Sequence, residues 1–133
     1  MRDLINNKEY VEFLIGRDGE FDLLVSSAIK RAVKDHGYSN TALVLVLPYD
    51  RAEYTRNMES FEEYYDEIEI CSESSSAHYK AAIGIRNATM VDRAELVICA
   101  VEREHGGAYR AMLYARQQGK REINLLDGDC YEK

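Results

Sequence analysis

The sequence has no tryptophan, a single proline and only three cysteines among its 133 residues. The cysteines, Cys71, Cys99 and Cys130, are odd in number and far apart, with no Cys-x-x-Cys pair. Because disulfide frameworks and zinc sites need paired or closely spaced cysteines, the sequence predicts neither. The three histidines also lack the spacing of metal ligands, and we expect no metal ion and no cofactor.

Long apolar runs are missing too, so the sequence predicts no membrane-spanning helix and no membrane partner. Residues 1–7 lack the apolar core of a signal peptide, which indicates a cytoplasmic protein. The chain has fewer basic than acidic residues, with 17 lysines and arginines and 24 aspartates and glutamates, and its formal net charge is −7. Such a chain repels phosphate backbones at long range, which argues against nucleic-acid binding but permits a local pocket for one phosphate group.

Two patterns of apolar residues predict the secondary structure. The nearly continuous apolar run Thr41–Leu47 is typical of a strand buried in a parallel sheet, whereas apolar residues three and four apart over Glu20–His36 predict a helix. By these criteria strands are predicted at 11–15, 41–47, 67–71, 96–101 and 122–126, and helices at 20–36, 77–93 and 108–118. The alternation predicts one α/β domain over residues 1–133, with helices on both faces of a mostly parallel sheet of about five strands.

Two segments between these elements are harder to interpret. Segment 50–66 is rich in charge and tyrosine, and it fits a short helix within a long loop. Its tyrosines, Tyr54, Tyr64 and Tyr65, are expected to cover the core or an interface. The serine cluster 72–76 is predicted to be a loop that caps the helix after it.

Sheets of this class bind ligands beyond the carboxyl ends of their strands. The first predicted strand runs into Gly16-Arg17-Asp18-Gly19-Glu20-Phe21-Asp22, where two glycines allow the backbone to approach a ligand closely. The next helix offers unpaired N–H groups. Asp18, Glu20 and Asp22 suit ribose hydroxyls or a base edge, or they only complement the helix dipole, and both interpretations stay open. Tyr49 follows the second predicted strand, where its ring can stack on a base.

A second glycine pair, Gly106-Gly107, follows the predicted strand 96–101 and leads through Ala108 into a helix. Amide groups at such a helix start can hold a phosphate, and Arg110 in the first turn can assist. The alternative is an ordinary strand-to-helix turn without a ligand.

Arg86 and Asn87 interrupt a mostly apolar face of the predicted helix 77–93. A guanidinium group pairs well with phosphate, and a side-chain amide can bind a sugar or a base. The alternative is a solvated arginine that pairs with an acid such as Asp92 or Glu95.

Taken together, three motifs resemble the SLOG superfamily, which is named after the SMF, DprA and LOG proteins. They are Gly16–Asp22 as G-x-x-G-x-F-D, Arg86–Met90 as R-N-x-x-M, and Gly106–Ala108 as G-G-A. Their order and spacing are similar to those of short bacterial members of the group, and the resemblance covers about residues 11–126.

This resemblance implies a Rossmann-like, three-layer α/β/α fold that binds a nucleotide or nucleotide-derived molecule at the strand ends, in a sensor or accessory protein. Because relatives often pair through helices, it also implies a homodimer. The expected ligand-binding residues are Gly16, Arg17, Gly19, Glu20, Asp22, Tyr49, Arg86, Asn87, Gly106, Gly107 and Ala108.

Two other functions stay open. LOG enzymes cleave the N-glycosidic bond of nucleoside monophosphates with a P-G-G-x-G-T motif and a catalytic glutamate, but this chain has His105 in place of the proline and Ala108–Met112 in place of the glutamate segment. An N-glycosidase would need a relocated carboxylate, for which Glu20 and Asp22 are the catalytic candidates. The last alternative is a protein-interaction module without a ligand, with segment 50–66 as the contact surface.

Overall fold

The computed structural model describes residues 10–102 and 104–126, and the paired strands within it are parallel. The chain divides into two compact units, Met1–Ile70 and Cys71–Lys133. Strands alternate with helices in a Rossmann-like manner, so the predicted α/β class with about five parallel strands is confirmed. Hydrogen bonds join these strands as a group of three and a group of two. The predictions for residues 1–7 and for Cys130 fall outside the described residues.

The first unit is built around a three-stranded sheet in which β2 lies between β1 and β3. Its elements are β1 (Val11–Ile15), α1 (Glu20–His36), β2 (Thr41–Leu47), α2 (Ala52–Arg56), α3 (Met58–Tyr64) and β3 (Glu67–Ile70). Val11 lies opposite Thr41 in the first strand pair. Asp66 lies just before the pairing of β2 with β3 and binds Leu43 of β2 twice. Its Oδ2 accepts from the Leu43 amide at 2.7 Å, and its own amide donates to the Leu43 carbonyl at 2.9 Å.

The core of this unit lies on one face of β2. Side chains alternate along a strand, so Leu43, Leu45 and Leu47 point to the same face, and all three are buried. They pack with Ile29 of α1 and Phe61 of α3. Both helices therefore cover the same face of the sheet. This is expected because the crossovers from β1 to β2 and from β2 to β3 have the same hand and move in the same direction across the sheet.

Segment 50–66 forms two short helices, α2 and α3, where the sequence predicts one short helix in a long loop. Phe61 and Tyr65 are buried in the core, and Tyr54 and Tyr64 pack against it. The prediction that these tyrosines cover the core is confirmed.

The second unit contains the helices α4 (Ser72–Ser75), α5 (Tyr79–Arg93) and α6 (Gly107–Gln117), together with the strands β4 (Leu96–Cys99) and β5 (Arg121–Asn124). Leu96 lies opposite Arg121 in the strand pair, and α5 packs along α6. Within residues 10–102 and 104–126, no helix combines the length and the apolar character needed to cross a membrane.

Two predictions for the second unit are wrong. The serine cluster forms the short helix α4, and the cap of α5 is His78, whose Nδ1 accepts from the Lys80 amide at 3.3 Å. The run 96–101 forms a strand only as far as Cys99, and that strand is not buried, since Ile98 is 36 % exposed. An apolar run predicts a strand, but burial depends on how many neighbours cover it, and among the described residues β4 pairs with β5 alone.

Candidate binding site

The turn between β1 and α1 is held by contacts within the first unit. The amide of Asp18 donates to Asp22 Oδ2 at 2.9 Å, and the Asp18 carboxylate accepts from Arg51 Nη2. Arg51 Nη1 also donates to the carbonyl of Arg17 at 3.4 Å. These contacts favour a structural role for Asp18 and Asp22 in the turn, and the ligand role of Asp22 stays a prediction.

Arg51 reaches this turn because it follows β2, and the carboxyl ends of neighbouring parallel strands meet at one edge of a sheet. Its guanidinium carbon lies 5.4 Å from the centre of the Tyr49 ring, so the ring predicted to stack on a base packs against an arginine. Burial disfavours the charged guanidinium, but the hydrogen bond and the charge of Asp18 outweigh it. The pKa of Arg51 is therefore raised, and its guanidinium stays charged.

Arg17 turns from the strand end towards α2 and α3. Its Nε donates to Glu53 Oε1 and its Nη1 donates to the Tyr65 hydroxyl, both at 3.0 Å. The guanidinium carbon also lies 4.9 Å from the centre of the Phe61 ring. Burial opposes its charge, yet the bonds to Tyr65 and Glu53 raise the pKa of Arg17. This predicted ligand residue faces a cleft of α1 and α3.

The other predicted residues of this turn differ in exposure. Gly16 is buried, whereas Gly19 and Glu20 are exposed at the start of α1. Gly19 precedes the helix with φ −172°, an extended conformation that any residue adopts, so the backbone does not require glycine there.

In the second unit, a cleft of about 270 Å³ opens where β4 ends and α6 begins. We call it the strand-end cleft, and it is lined by Ala100, Val101, Glu102, His105, Ala108, Tyr109 and Leu126. Gly106 precedes α6 with φ 97°, and no side chain among the described residues caps the helix. Ala108 and Tyr109, which line the cleft, belong to the first turn of α6, where backbone amides have no partner within the helix.

Asn124 fixes the side of this cleft that is formed by β4. Its Oδ1 accepts from the amide of Val101 and its Nδ2 donates to the Val101 carbonyl, both at 2.9 Å. The amide side chain thus continues the pairing of β4 and β5 beyond Cys99. Both polar backbone groups of Val101 are satisfied, so the end of the strand is held in place.

Gly106→Ala is expected to lower the free energy of unfolding by about 1–2 kcal/mol, because an L side chain is strained at a positive φ. Gly107→Ala is the matched control: a Cβ at this position meets no atom within 4 Å, and alanine favours the helix. Urea denaturation of both variants measures the difference. Equal stability of the two variants would show that the backbone conformation at position 106 does not require glycine.

Arg86 is only 2 % exposed on α5, and its Nε donates to Oδ1 of the neighbouring Asn87 at 2.9 Å. The alternative of a solvated arginine is therefore wrong. A buried guanidinium must be hydrogen-bonded, and Asn87 supplies one acceptor. The structure thus brings together the two polar residues that the sequence predicts for this helix.

The predicted site residues are divided between the two units. Gly16, Arg17, Gly19, Glu20, Asp22 and Tyr49 lie in the first, and Arg86, Asn87, Gly106, Gly107 and Ala108 lie in the second. Three residues of these turns and clefts were not among the predicted site residues: Arg51, which anchors the β1 turn, and Tyr109 and Leu126, which line the strand-end cleft. Arg51 does follow a predicted strand closely, and that position was the one signal that could have identified it.

No protein-family model, no curated protein and no solved structure matches the chain. The resemblance to the SLOG superfamily therefore rests on the three motifs alone.

Proposed function

We propose that this chain is a binding protein for a nucleotide or a nucleotide-derived molecule, and that the strand-end cleft receives its phosphate group. The observation that carries the proposal is the position of this cleft. It lies at the carboxyl end of a parallel strand and next to the start of α6, which is preceded by Gly106 and has no side-chain cap among the described residues. Phosphate groups bind at helix starts of this kind because amide donors and the positive end of the helix dipole face them.

The remaining lining suits the rest of such a ligand. The ring of Tyr109 and the side chain of Leu126 offer apolar area for a base, and the Glu102 carboxylate can accept from ribose hydroxyls. Arg110, in the first turn of α6, adds positive charge on the same helix. A volume of about 270 Å³ is at the low end for ligand pockets, which favours a mononucleotide over a longer molecule.

A thermal-shift screen tests the proposal with nucleoside mono-, di- and triphosphates, dinucleotides and ADP-ribose, with adenosine as the phosphate-free control. Binding to the folded state raises the midpoint by mass action, and we expect a rise with one phosphate-bearing class and none with adenosine. A flat response to the whole series would contradict the proposal. Interaction with another protein through segment 50–66 would then become the leading hypothesis.

Ala108→Glu is expected to weaken binding of adenosine 5′-monophosphate about tenfold or more, because it places a negative charge at the helix start that faces the phosphate. Ala108→Gln, of almost the same shape but neutral, should bind nearly as well as the parent chain. Because Ala108 is exposed, both variants should fold. Titration calorimetry at low ionic strength measures the ratio, and equal affinities of the two variants would remove the α6 start from the site.

The same ligand also distinguishes binding from catalysis. Release of free base from a bound nucleoside monophosphate would identify an N-glycosidase. Cytoplasmic location and a homodimer belong to the same proposal, and size-exclusion chromatography with light scattering tests the dimer.

A further inference from the structure

A second cleft lies entirely within the first unit, between α1 and α3. Its volume is about 290 Å³, and its lining residues are Arg17, Leu23, Ser27, Ser60, Phe61, Tyr64 and Tyr65. We call it the tyrosine cleft. Nothing in the proposed nucleotide site involves it, because that site belongs to the second unit.

The polar lining of the tyrosine cleft consists of groups that can donate hydrogen bonds. They are the guanidinium of Arg17 and the hydroxyls of Ser27, Ser60, Tyr64 and Tyr65. Among the described residues that line the cleft there is no carboxylate. The remaining surface, from Leu23 and Phe61, is apolar.

Tyr65 shows why these donors remain usable. A guanidinium only donates, so the 3.0 Å bond from Arg17 Nη1 makes the Tyr65 hydroxyl the acceptor and leaves its proton free for another partner. Tyr65 is buried, and burial, with the charge of Asp22 and the neighbouring Tyr64, raises its pKa despite Arg17. At neutral pH the hydroxyl therefore keeps the proton that it can donate.

Two cations lie at this cleft: Arg17 lines it, although it also pairs with Glu53, and Lys30 packs against the ring of Tyr64, a lining residue. Two of the five N–H groups of Arg17 are engaged, by Glu53 and Tyr65, so the guanidinium keeps further donors. Lys30 Nζ lies 4.4 Å from the centre of the Tyr64 ring and donates to the Tyr64 carbonyl at 2.7 Å. Burial alone would raise the pKa of Tyr64, but bonds to Ser26 and Ser27 and the charges of Lys30 and Arg17 lower it.

We propose that the tyrosine cleft binds a small organic oxyanion, a carboxylate or phosphate group carried on an apolar body. The oxyanion is recognised by Arg17 and the Tyr65 hydroxyl, with Ser27 and Ser60 at the cleft wall. The apolar body lies against Leu23 and Phe61. Charged acceptors form the stronger hydrogen bonds, which selects an anion over a neutral ligand of the same shape.

Phenyl phosphate and benzoate probe the cleft, and benzyl alcohol is the neutral control. A ¹H–¹⁵N NMR titration of the full chain should show saturable shifts at residues 17–27 and 58–65, with a Kd on the order of 1 mM for such small ligands. Binding of phenyl phosphate but not of benzoate would identify a site for phosphate groups. Binding of benzoate but not of phenyl phosphate would identify a site for carboxylates. Benzyl alcohol binding as tightly as the anions would overturn the proposal, as would shifts confined to residues 100–110.

Ser60→Asp places a negative charge in the cleft, and Ser60→Asn is its neutral match. Ser60 is exposed, so both variants should fold. We expect Ser60→Asp to weaken binding of the anionic probe at least about tenfold and Ser60→Asn to bind like the parent chain. Equal affinities for the two variants would refute an oxyanion in this cleft. Ala108→Glu should leave the same titration unchanged, so this site and the proposed nucleotide site can fail separately.

Discussion

Leu45→Ala is expected to lower the free energy of unfolding by about 2–5 kcal/mol, the usual range for removing a buried leucine side chain. Leu45 is fully buried at the centre of β2, between Leu43 and Leu47 on the face that α1 and α3 cover. The substitution removes apolar contact area and leaves a cavity that a central strand cannot close by moving. Urea denaturation followed by circular dichroism measures the loss.

Leu24→Ala is the matched control for this prediction. Leu24 lies on α1 but is 69 % exposed, so its truncation should change stability by less than about 0.5 kcal/mol. Both variants make the same chemical change within one unit, one at a buried strand position and the other at an exposed helix position. A similar loss in both would mean that Leu45 is not at the centre of the core.

The sequence predicts this core well because β2 carries its signal in one short stretch. An apolar run such as Thr41–Leu47 is rare outside a buried strand, and the structure buries every residue of it after Thr41. Helix α1 is equally clear, since its apolar residues recur over 17 positions and Gly37 ends it in a left-handed conformation. Local pattern and tertiary structure agree in both elements.

Segment 50–66 was harder to predict because α2 and α3 have only 5 and 7 residues. The periodic spacing of apolar residues cannot be recognised over one or two helical turns. The charged residues of α3 also make its apolar side difficult to recognise in the sequence. The tyrosines gave the better signal: Tyr65 enters the core because its ring is apolar, while Arg17 satisfies its hydroxyl. That contact joins residues 48 positions apart, and no local pattern predicts it.

The candidate site was predicted unevenly for the same reason. Glycine is favoured where the backbone turns sharply, so the sequence alone could place Gly106 at the start of a helix. Side-chain partners depend on tertiary structure, and the sequence could not indicate that Arg51 would bind Asp18 or that Asn124 would pair with Val101. Sequence motifs therefore located the turns, whereas the structure shows which side chains are already engaged there.

Arg86→Ala is expected to lower the free energy of unfolding by about 2–4 kcal/mol, because the variant leaves a large cavity and removes the donor to Asn87. Arg86 is one of the largest fully buried side chains of the described residues. A surface arginine would behave differently, since its removal changes stability by about 0.5 kcal/mol or less. Arg31, exposed on α1, is the matched position for that comparison.

Arg86→Met separates the volume of this side chain from its charge. Methionine refills most of the space with a flexible apolar chain, so the loss should fall to about half that of alanine if packing dominates. If hydrogen bonding dominates, methionine should be as destabilising as alanine, because the half-buried Asn87 Oδ1 loses the Arg86 donor in both variants. Stability of all three variants, with Arg31→Ala as the reference, decides between the two causes. An Arg86→Ala variant as stable as Arg31→Ala would contradict the buried position of this guanidinium.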